Sequence, residues 1–309
     1  MKALVTGGAG FIGSHIAERL LELGHDVRVL DNFSTGKREN LAPLEGAGAG
    51  TRLDITVGDV RDAAKVEEAA RGCEVIFHEA AIVSVPYSVQ HPQETHDVNL
   101  QGTLNVLAAA ERAKVRRVVL ASSAAVYGDS PQLPKHEGML PTPIAPYGLE
   151  KLASEHYLAI FSRLYGVETV SLRYFNVFGP RQDPSSAYSG VISVFVDRGR
   201  RGEPLTIFGD GRACRDFVYV KDVVEANLLA ATREAVSGRF FNVARGEKTT
   251  LNELVAAVGR ALGRELVVTY APPRAGDITE SFADVSLARK ELGFAPKVTV
   301  EEGLRALVG

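Results

Sequence analysis

The chain has 309 residues, 45% of them apolar and 24% charged, enough to bury a sizeable core as one large unit or two unequal ones. Its 35 basic residues stand against 38 acidic ones, a formal charge of −3, so no nucleic-acid surface is expected. Two cysteines do not suggest a disulfide scaffold, and no apolar run reaches the roughly 18 residues of a membrane span.

The opening MKALVTGG turns to glycine too early for the apolar region of a signal peptide, so a cytoplasmic location is expected. The first half then alternates β-branched apolar runs with helical patterns. Residues 2–7, 25–31, 52–59, 73–80, 116–123 and 167–176 read as strands. Residues 14–24, 62–72, 99–114 and 147–166 read as helices, with Gly24, Gly72 and Gly166 at C-terminal cap positions. This rhythm predicts an α/β, Rossmann-type doubly wound parallel sheet, with ligands outside the carboxyl ends of its strands.

Beyond residue 180 the rhythm breaks. Residues 179–190 read as a turn-rich loop, 192–202 as a helix and 205–220 as a pair of short strands. Helical periodicity returns at 221–235 and 250–263, a strand follows at 266–271, and a loop-rich tail ends in a short helix. The expected division is a dinucleotide-binding domain at 1–179, completed by 217–243, and a smaller C-terminal substrate-binding lobe from 180–216 and 244–309.

VTGGAGFIGSHIAERL carries Gly7, Gly10 and Gly13 after the first strand. The first permits a tight turn, the second lets a pyrophosphate approach the backbone, and the third allows close helix–strand packing. Asp31 ends the second strand, where a carboxylate accepts from both adenosine ribose hydroxyls and repels a 2′-phosphate. NAD is therefore the expected cofactor, although Lys37 and Arg38 nearby leave a phosphate-binding alternative open. Asn32 and Val60 join Asp31 and Asp59 on the cofactor side. Asp59 suits either the adenine amino group or a cap for the helix at 62–72.

YGLEK places Tyr147 and Lys151 four apart, hence on one helix face. A neighbouring ammonium and an oxidised nicotinamide both favour the phenolate, which makes Tyr147 a base for an alcohol proton. Its alternative is an ion-paired surface face. The seven histidines show no ligand-like spacing, and no metal is expected.

In chain order GGAGFIG, DNFSTG, GDVRD, HEAA, SSAAVYG, YGLEK, RYFNVFGP, GDGRACRDFVYVKD and PPRAGD span essentially all 309 residues. With this series the chain resembles the extended short-chain dehydrogenases/reductases, and among them the UDP-hexose 4-epimerases of the UDP-glucose 4-epimerase group. The resemblance implies that Ser123 is the catalytic hydroxyl, Tyr147 the base, and Lys151 the residue that holds the nicotinamide ribose. Phe11 and Ile12 then offer backbone to the pyrophosphate, and Ala80 and Ala81 line the NAD pocket. Asn99 orders the active-site helix, Ser122 is a structural or cofactor-side neighbour, and Tyr174 packs beside the nicotinamide.

On the UDP-sugar side the resemblance implies Asn176 at the diphosphate, Arg215 and Arg274 as its clamps, and Asp277 orienting Arg274 or a sugar hydroxyl. Each arginine has a solvated-surface alternative. Ser84, with Val83 and Tyr87, falls where a loop touches the hexose. Ser281 matches a gate that is a bulky tyrosine in glucose-restricted relatives and small where N-acetylated hexoses enter.

The implied activity is reversible C4 epimerisation of a UDP-hexose through a 4-keto sugar. It extends from UDP-glucose/UDP-galactose to the N-acetylated pair. Sugar-nucleotide 4,6-dehydratases carry an Asp–Glu pair after the hydroxyl residue, and UDP-glucuronate decarboxylases a glutamate before VYG. Ala124 and Ala125 stand there instead. A simple NAD-dependent dehydrogenase remains as a further alternative. A homodimer is implied through a four-helix bundle of 99–114 and 147–166, with Leu104, Leu107, Leu152 and Leu158 as apolar positions.

Overall fold

The computed structural model describes residues 1–45, 52–184, 190–273 and 279–309. The first half supplies β1 (Lys2–Thr6), β2 (Asp26–Asp31), β3 (Leu53–Val57), β4 (Val75–His78), β5 (Arg117–Ser123) and β6 (Glu168–Tyr174). Further strands are β7 (Asn176–Phe178), β8 (Leu205–Phe208), β9 (Cys214–Arg215), β10 (Phe217–Tyr219), β11 (Arg239–Val243), β12 (Thr249–Thr250), β13 (Val268–Ala271) and β14 (Glu280–Ser281). The helices of the first half are α1 (Phe11–Glu22), α2 (Ala63–Ala70), α3 (Val85–Gln90), α4 (Pro92–His96), α5 (Gly102–Arg112) and α6 (Pro146–Leu164). After them come α7 (Val191–Arg201), α8 (Val220–Thr232), α9 (Leu251–Leu262) and α10 (Val300–Val308).

Seven strands form one parallel sheet in the order β11-β6-β5-β4-β1-β2-β3. Chain order reverses between β1 and β4, which opens a crevice at their carboxyl ends. Alternate side chains feed two cores, because successive strand residues point to opposite faces. Val5, Val29, Phe77, Val119 and Leu172 pack with Ile16 and Leu20 of α1 and Val223 and Ala230 of α8. Leu4, Leu30, Ile76, Val118 and Leu120 pack with Val66 of α2, Leu107 of α5 and Leu158 of α6. Burial on both faces explains why these strands read as unbroken apolar runs.

Three small sheets stand apart: β7 with β10, β8 with β13, and β9 between β12 and β14. Their helices α7, α9 and α10 bury Phe195, Leu254 and Leu304 in a third core with Phe178, Leu205 and Phe217. No helix among the described residues is long and apolar enough to cross a membrane.

The structure departs from the sequence expectation at several places. The segment 205–220 holds three strands rather than two, each in a different sheet, because Gly209 and Gly211 (φ +86° and +76°) reverse the chain after β8. The edge strand β11 lies in a stretch with no alternating pattern, since it is buried where it pairs with β6. The helix expected from 99 begins at Pro92 and passes through a π-helical turn, Asp97–Gln101, before α5. Leu107 and Leu158, expected at a subunit interface, are buried in their own chain, and Leu152 packs against a cluster around Tyr127. Asp62, not Asp59, caps α2, accepting from the Ala64 and Lys65 N–H groups at 3.0 and 3.1 Å.

A buried ion pair ties α6 to the sheet. Arg173 on β6 and Glu155 on α6 are 1% and 3% exposed and meet through two parallel bonds of 2.9 and 2.6 Å. Glu155 also accepts from Ser122 at the end of β5. Arg173 also donates to Tyr127 at 3.0 Å, and Tyr127 in turn donates to Asn242 on β11 at 2.6 Å. Removing one partner strands the other charge in an apolar interior, which costs about 3–5 kcal/mol. Glu155→Ala should lose that much in chemical unfolding. Glu155→Met combined with Arg173→Met should recover most of it; additive losses would show that the charges are not coupled.

Candidate active site

The site lies along the carboxyl ends of β1, β4, β5 and β6, and its cofactor side starts from close packing. Gly7 takes φ +69°, and a Cβ there would lie 2.7 Å from the Ala80 nitrogen. A Cβ on Gly13 would run into the Gly7 carbonyl oxygen, so α1 sits against the turn only because this residue is bare. Gly10 caps α1 without a side-chain bond, and no acidic residue stands in the first turn. The N–H groups at Phe11, Ile12 and Gly13 are left for an anion.

Asp31 binds this loop to the second strand. Its two carboxylate oxygens accept from the Ala9 and Phe33 N–H groups at 2.9 and 2.8 Å, and each keeps a lone pair for a ribose hydroxyl. Lys37 pairs with Asp183 at 2.7 Å, and the Arg38 guanidinium lies over the Phe33 ring. Asn32 donates to Asp59 at 2.8 Å, and Arg61 binds the same carboxylate, holding it down at about 2. Val60 buries its side chain in the second core, so its backbone alone is left for a cofactor. Ala80 packs against that core just beyond β4. A bare glycine turn, an uncapped helix start and an anchored Asp31 together fit a dinucleotide.

The reactive side chains meet where α6 crosses β5. Tyr147 lies in the first turn of α6, with its backbone N–H on Ser88 Oγ at 3.1 Å and its phenol beside the Ser123 hydroxyl. Lys151, one turn on, is buried and donates to the Ala121 carbonyl at 2.8 Å, with its nitrogen 6.0 Å from the Tyr147 ring centre. The expected lowering of the phenol is not seen in the chain alone. Burial pushes Tyr147 up to about 12, against the lowering influence of the Ser123 hydroxyl. Burial also brings Lys151 down to about 8, while Glu79, Glu150 and Glu155 hold it from falling further.

Sequence reading missed those three carboxylates. Glu150 is buried, accepting from Thr95 at 2.9 Å and Asn99 at 2.7 Å. Asn99 stands in the π-helical turn and also exchanges bonds of 2.8 and 3.0 Å with the Ile82 backbone, fixing the chain just beyond Ala81. Such turns recur where a helix must place a side chain out of register. Tyr174 donates to Glu79 at 2.9 Å and accepts from Asn227 of α8 at 2.7 Å. His78, between Thr6 and Thr103, is pushed down to about 3 by burial and is a neutral core residue. The visible signal for Glu79 was an acid directly after a buried strand; Glu150 and Glu155 look like ordinary helix-surface residues in sequence. Ser122, read by resemblance as a structural or cofactor-side neighbour, commits its hydroxyl to Glu155.

Across the crevice, Asn176 opens β7 and donates from Nδ2 to the Asp216 carbonyl at 3.2 Å. Arg215 on β9 is paired in register with Ser281 on β14, so the expected clamp and gate are neighbours. Ser84 is buried as the N-cap of α3, accepting from the Tyr87 N–H at 3.0 Å. Arg274 and Asp277 lie outside the described residues. Among the described residues no group of three or more His, Cys, Asp or Glu could hold a metal ion.

Residues 3–244 match the profile of the NAD dependent epimerase/dehydratase family. The chain is similar to the UDP-glucose 4-epimerase of Thermotoga maritima solved with UDP-glucose. Identity is 40% and the TM-score 0.93, over 100% of this chain and 97% of that one. It is similar to the UDP-N-acetylglucosamine 4-epimerase of Methanobrevibacter ruminantium, solved with UDP-N-acetylmuramic acid. There identity is 39% and the TM-score 0.93, over 99% and 96%. Similarity to the Thermus thermophilus UDP-glucose 4-epimerase complex with NAD is 42% identity and a TM-score of 0.89, over 100% and 98%.

Burial raises the Glu79 carboxyl from 4.5 to about 7, against the pull of the Tyr174 hydroxyl and the Lys151 charge. A group raised on folding adds stability that is complete below its unfolded value and lost as pH rises through the folded one. Glu79→Gln cannot ionise, so its melting temperature should gain on wild type as pH goes from 4.5 to about 7. Parallel melting curves across that window would contradict the raised carboxyl.

Proposed function

The chain belongs to the NAD dependent epimerase/dehydratase family, with NAD as its cofactor, and we propose that it catalyses reversible C4 epimerisation of a UDP-hexose. The observation that carries this reading is the meeting of the Ser123 hydroxyl and the Tyr147 phenol at the end of β5, with Lys151 one turn behind. Ala124 and Ala125 follow directly in a short helical turn. Ser123 orients the sugar 4-hydroxyl and passes its proton to Tyr147, which returns it after the sugar has turned. Lys151, anchored to the Ala121 carbonyl, holds the ribose side of the cofactor and keeps positive charge near the phenol. Bound NAD supplies the reversible hydride acceptor for C4 and, while oxidised, a positive ring that favours the phenolate. A methyl group moves no proton, so neither Ala124 nor Ala125 offers the 4-keto sugar an acid or base for elimination or decarboxylation.

The lobe formed by 180–216 and 244–309 takes the UDP. Asn176 and Arg215 of the described residues grip the diphosphate, and the resemblance adds Arg274 as a second clamp with Asp277 to orient it or a sugar hydroxyl. The sugar stays loose enough to present either face. Ser281 next to Arg215 leaves room beside the hexose, which favours acceptance of N-acetylated sugars as well. The assembly is a homodimer through the outer faces of α5 and α6. There Leu149 and Tyr157 are exposed, in place of the buried Leu107 and Leu158.

Incubation with UDP-galactose and NAD, followed by separation of sugar nucleotides, should yield UDP-glucose without accumulating NADH. No interconversion by the folded protein would refute the proposal. Tyr147→Phe should lower the rate about 10²–10⁴-fold while NAD still binds. Ser281→Tyr should depress the N-acetylhexosamine reaction selectively; equal loss on both sugars would remove the gate.

A further inference from the structure

Asp216 joins β9 to β10 and is wholly buried, yet it belongs to neither strand. Its carboxylate accepts three backbone N–H groups: Arg245 at 2.8 Å, Gly246 at 2.9 Å and Ala283 at 3.2 Å. Its own carbonyl accepts the Asn176 backbone N–H at 3.0 Å and the Asn176 side-chain amide at 3.2 Å. One residue therefore draws together the turn after β11, the chain after β14 and the start of β7. The last two, and the strand that Asp216 itself follows, each carry a group of the UDP-sugar side. Asn176 is held by the carbonyl, Arg215 is the preceding residue, and Ser281 stands two positions before Ala283 and in register with Arg215. A carboxylate is an acceptor at both oxygens, and so suits a place where every facing group is an N–H.

We propose that Asp216 is a positioning residue for diphosphate binding, setting the spacing of Asn176, Arg215 and Ser281 so that substrate affinity depends on it; this rests on the UDP-sugar site proposed above. The residue is buried, and its carboxylate is turned to backbone N–H groups. The cofactor side, from Gly7 to Asp31, shares no hydrogen bond with it among the described residues. Asp216→Asn sets an amide N–H against backbone N–H donors, so it breaks the junction without changing its volume.

The test is calorimetric titration of UDP and, separately, NAD into wild type and Asp216→Asn. UDP should bind at least tenfold more weakly to the variant, with NAD affinity within twofold. With UDP-galactose as substrate, KM should rise and kcat should change by less than threefold. Unchanged UDP affinity, or equal weakening of UDP and NAD, would overturn the proposal. Failure of the wild type to bind UDP would instead overturn the UDP-sugar site itself. Should the variant not fold, hydrogen exchange on the unaltered protein decides. Saturating UDP should slow exchange at the Arg245, Gly246 and Ala283 amides at least threefold, and no change at all three would be negative.

Discussion

The Arg173–Glu155 pair is the contact on which the geometry of the reactive groups depends. Tyr147 and Lys151 both belong to α6, while Ser123 belongs to β5, so their meeting requires the helix and the sheet to stay in one register. Apolar packing of Leu158 against Leu120 and Val118 supplies much of the attraction, but dispersion tolerates sliding. A bidentate guanidinium–carboxylate bond does not, because both parallel hydrogen bonds are lost with a small displacement. Ser122 adds a third point of attachment beside the catalytic serine. The serine pair at the end of β5 thus divides its work: one hydroxyl holds the frame and its neighbour faces the phenol.

The electrostatics of the site follow from that frame. Lys151 lies beside three carboxylates, and burial works against the charged forms of Glu79, Tyr147 and Lys151 itself. Phenol, ammonium and the Glu79 carboxyl are each pushed toward neutrality. The site is therefore a place where the arrival of one charged ligand changes the protonation of several side chains together.

Much of this architecture was legible from sequence because it rests on local rules. Short β-branched apolar runs, cap glycines and the Gly7–Gly10–Gly13 spacing located the sheet, its helices and the cofactor side. The four-residue spacing of Tyr147 and Lys151 located the chemistry. What stayed hidden depends on tertiary pairing. Glu150, Glu155 and Asp216 are charged residues that sequence patterning assigns to the surface, and each is buried only because a partner from a distant segment meets it. The second half was harder to read because its strands are two to five residues long, too short for a period to show. Leu107 and Leu158 misled for the opposite reason: an apolar helix stripe does not say which of two neighbours it faces.

The strand order also has a consequence for synthesis on the ribosome. From β1 outward the sheet is built in the order in which the chain emerges, β2 and β3 on one side and β4, β5 and β6 on the other. Its last member, β11, is encoded by residues 239–243, after the small strands β7 to β10 have been made. Until then β6 presents an unpaired row of N–H and C=O groups to solvent. A nascent polypeptide stalled in that interval carries a sticky border next to an unfinished catalytic centre, and this is the stage at which chaperone protection has most to do.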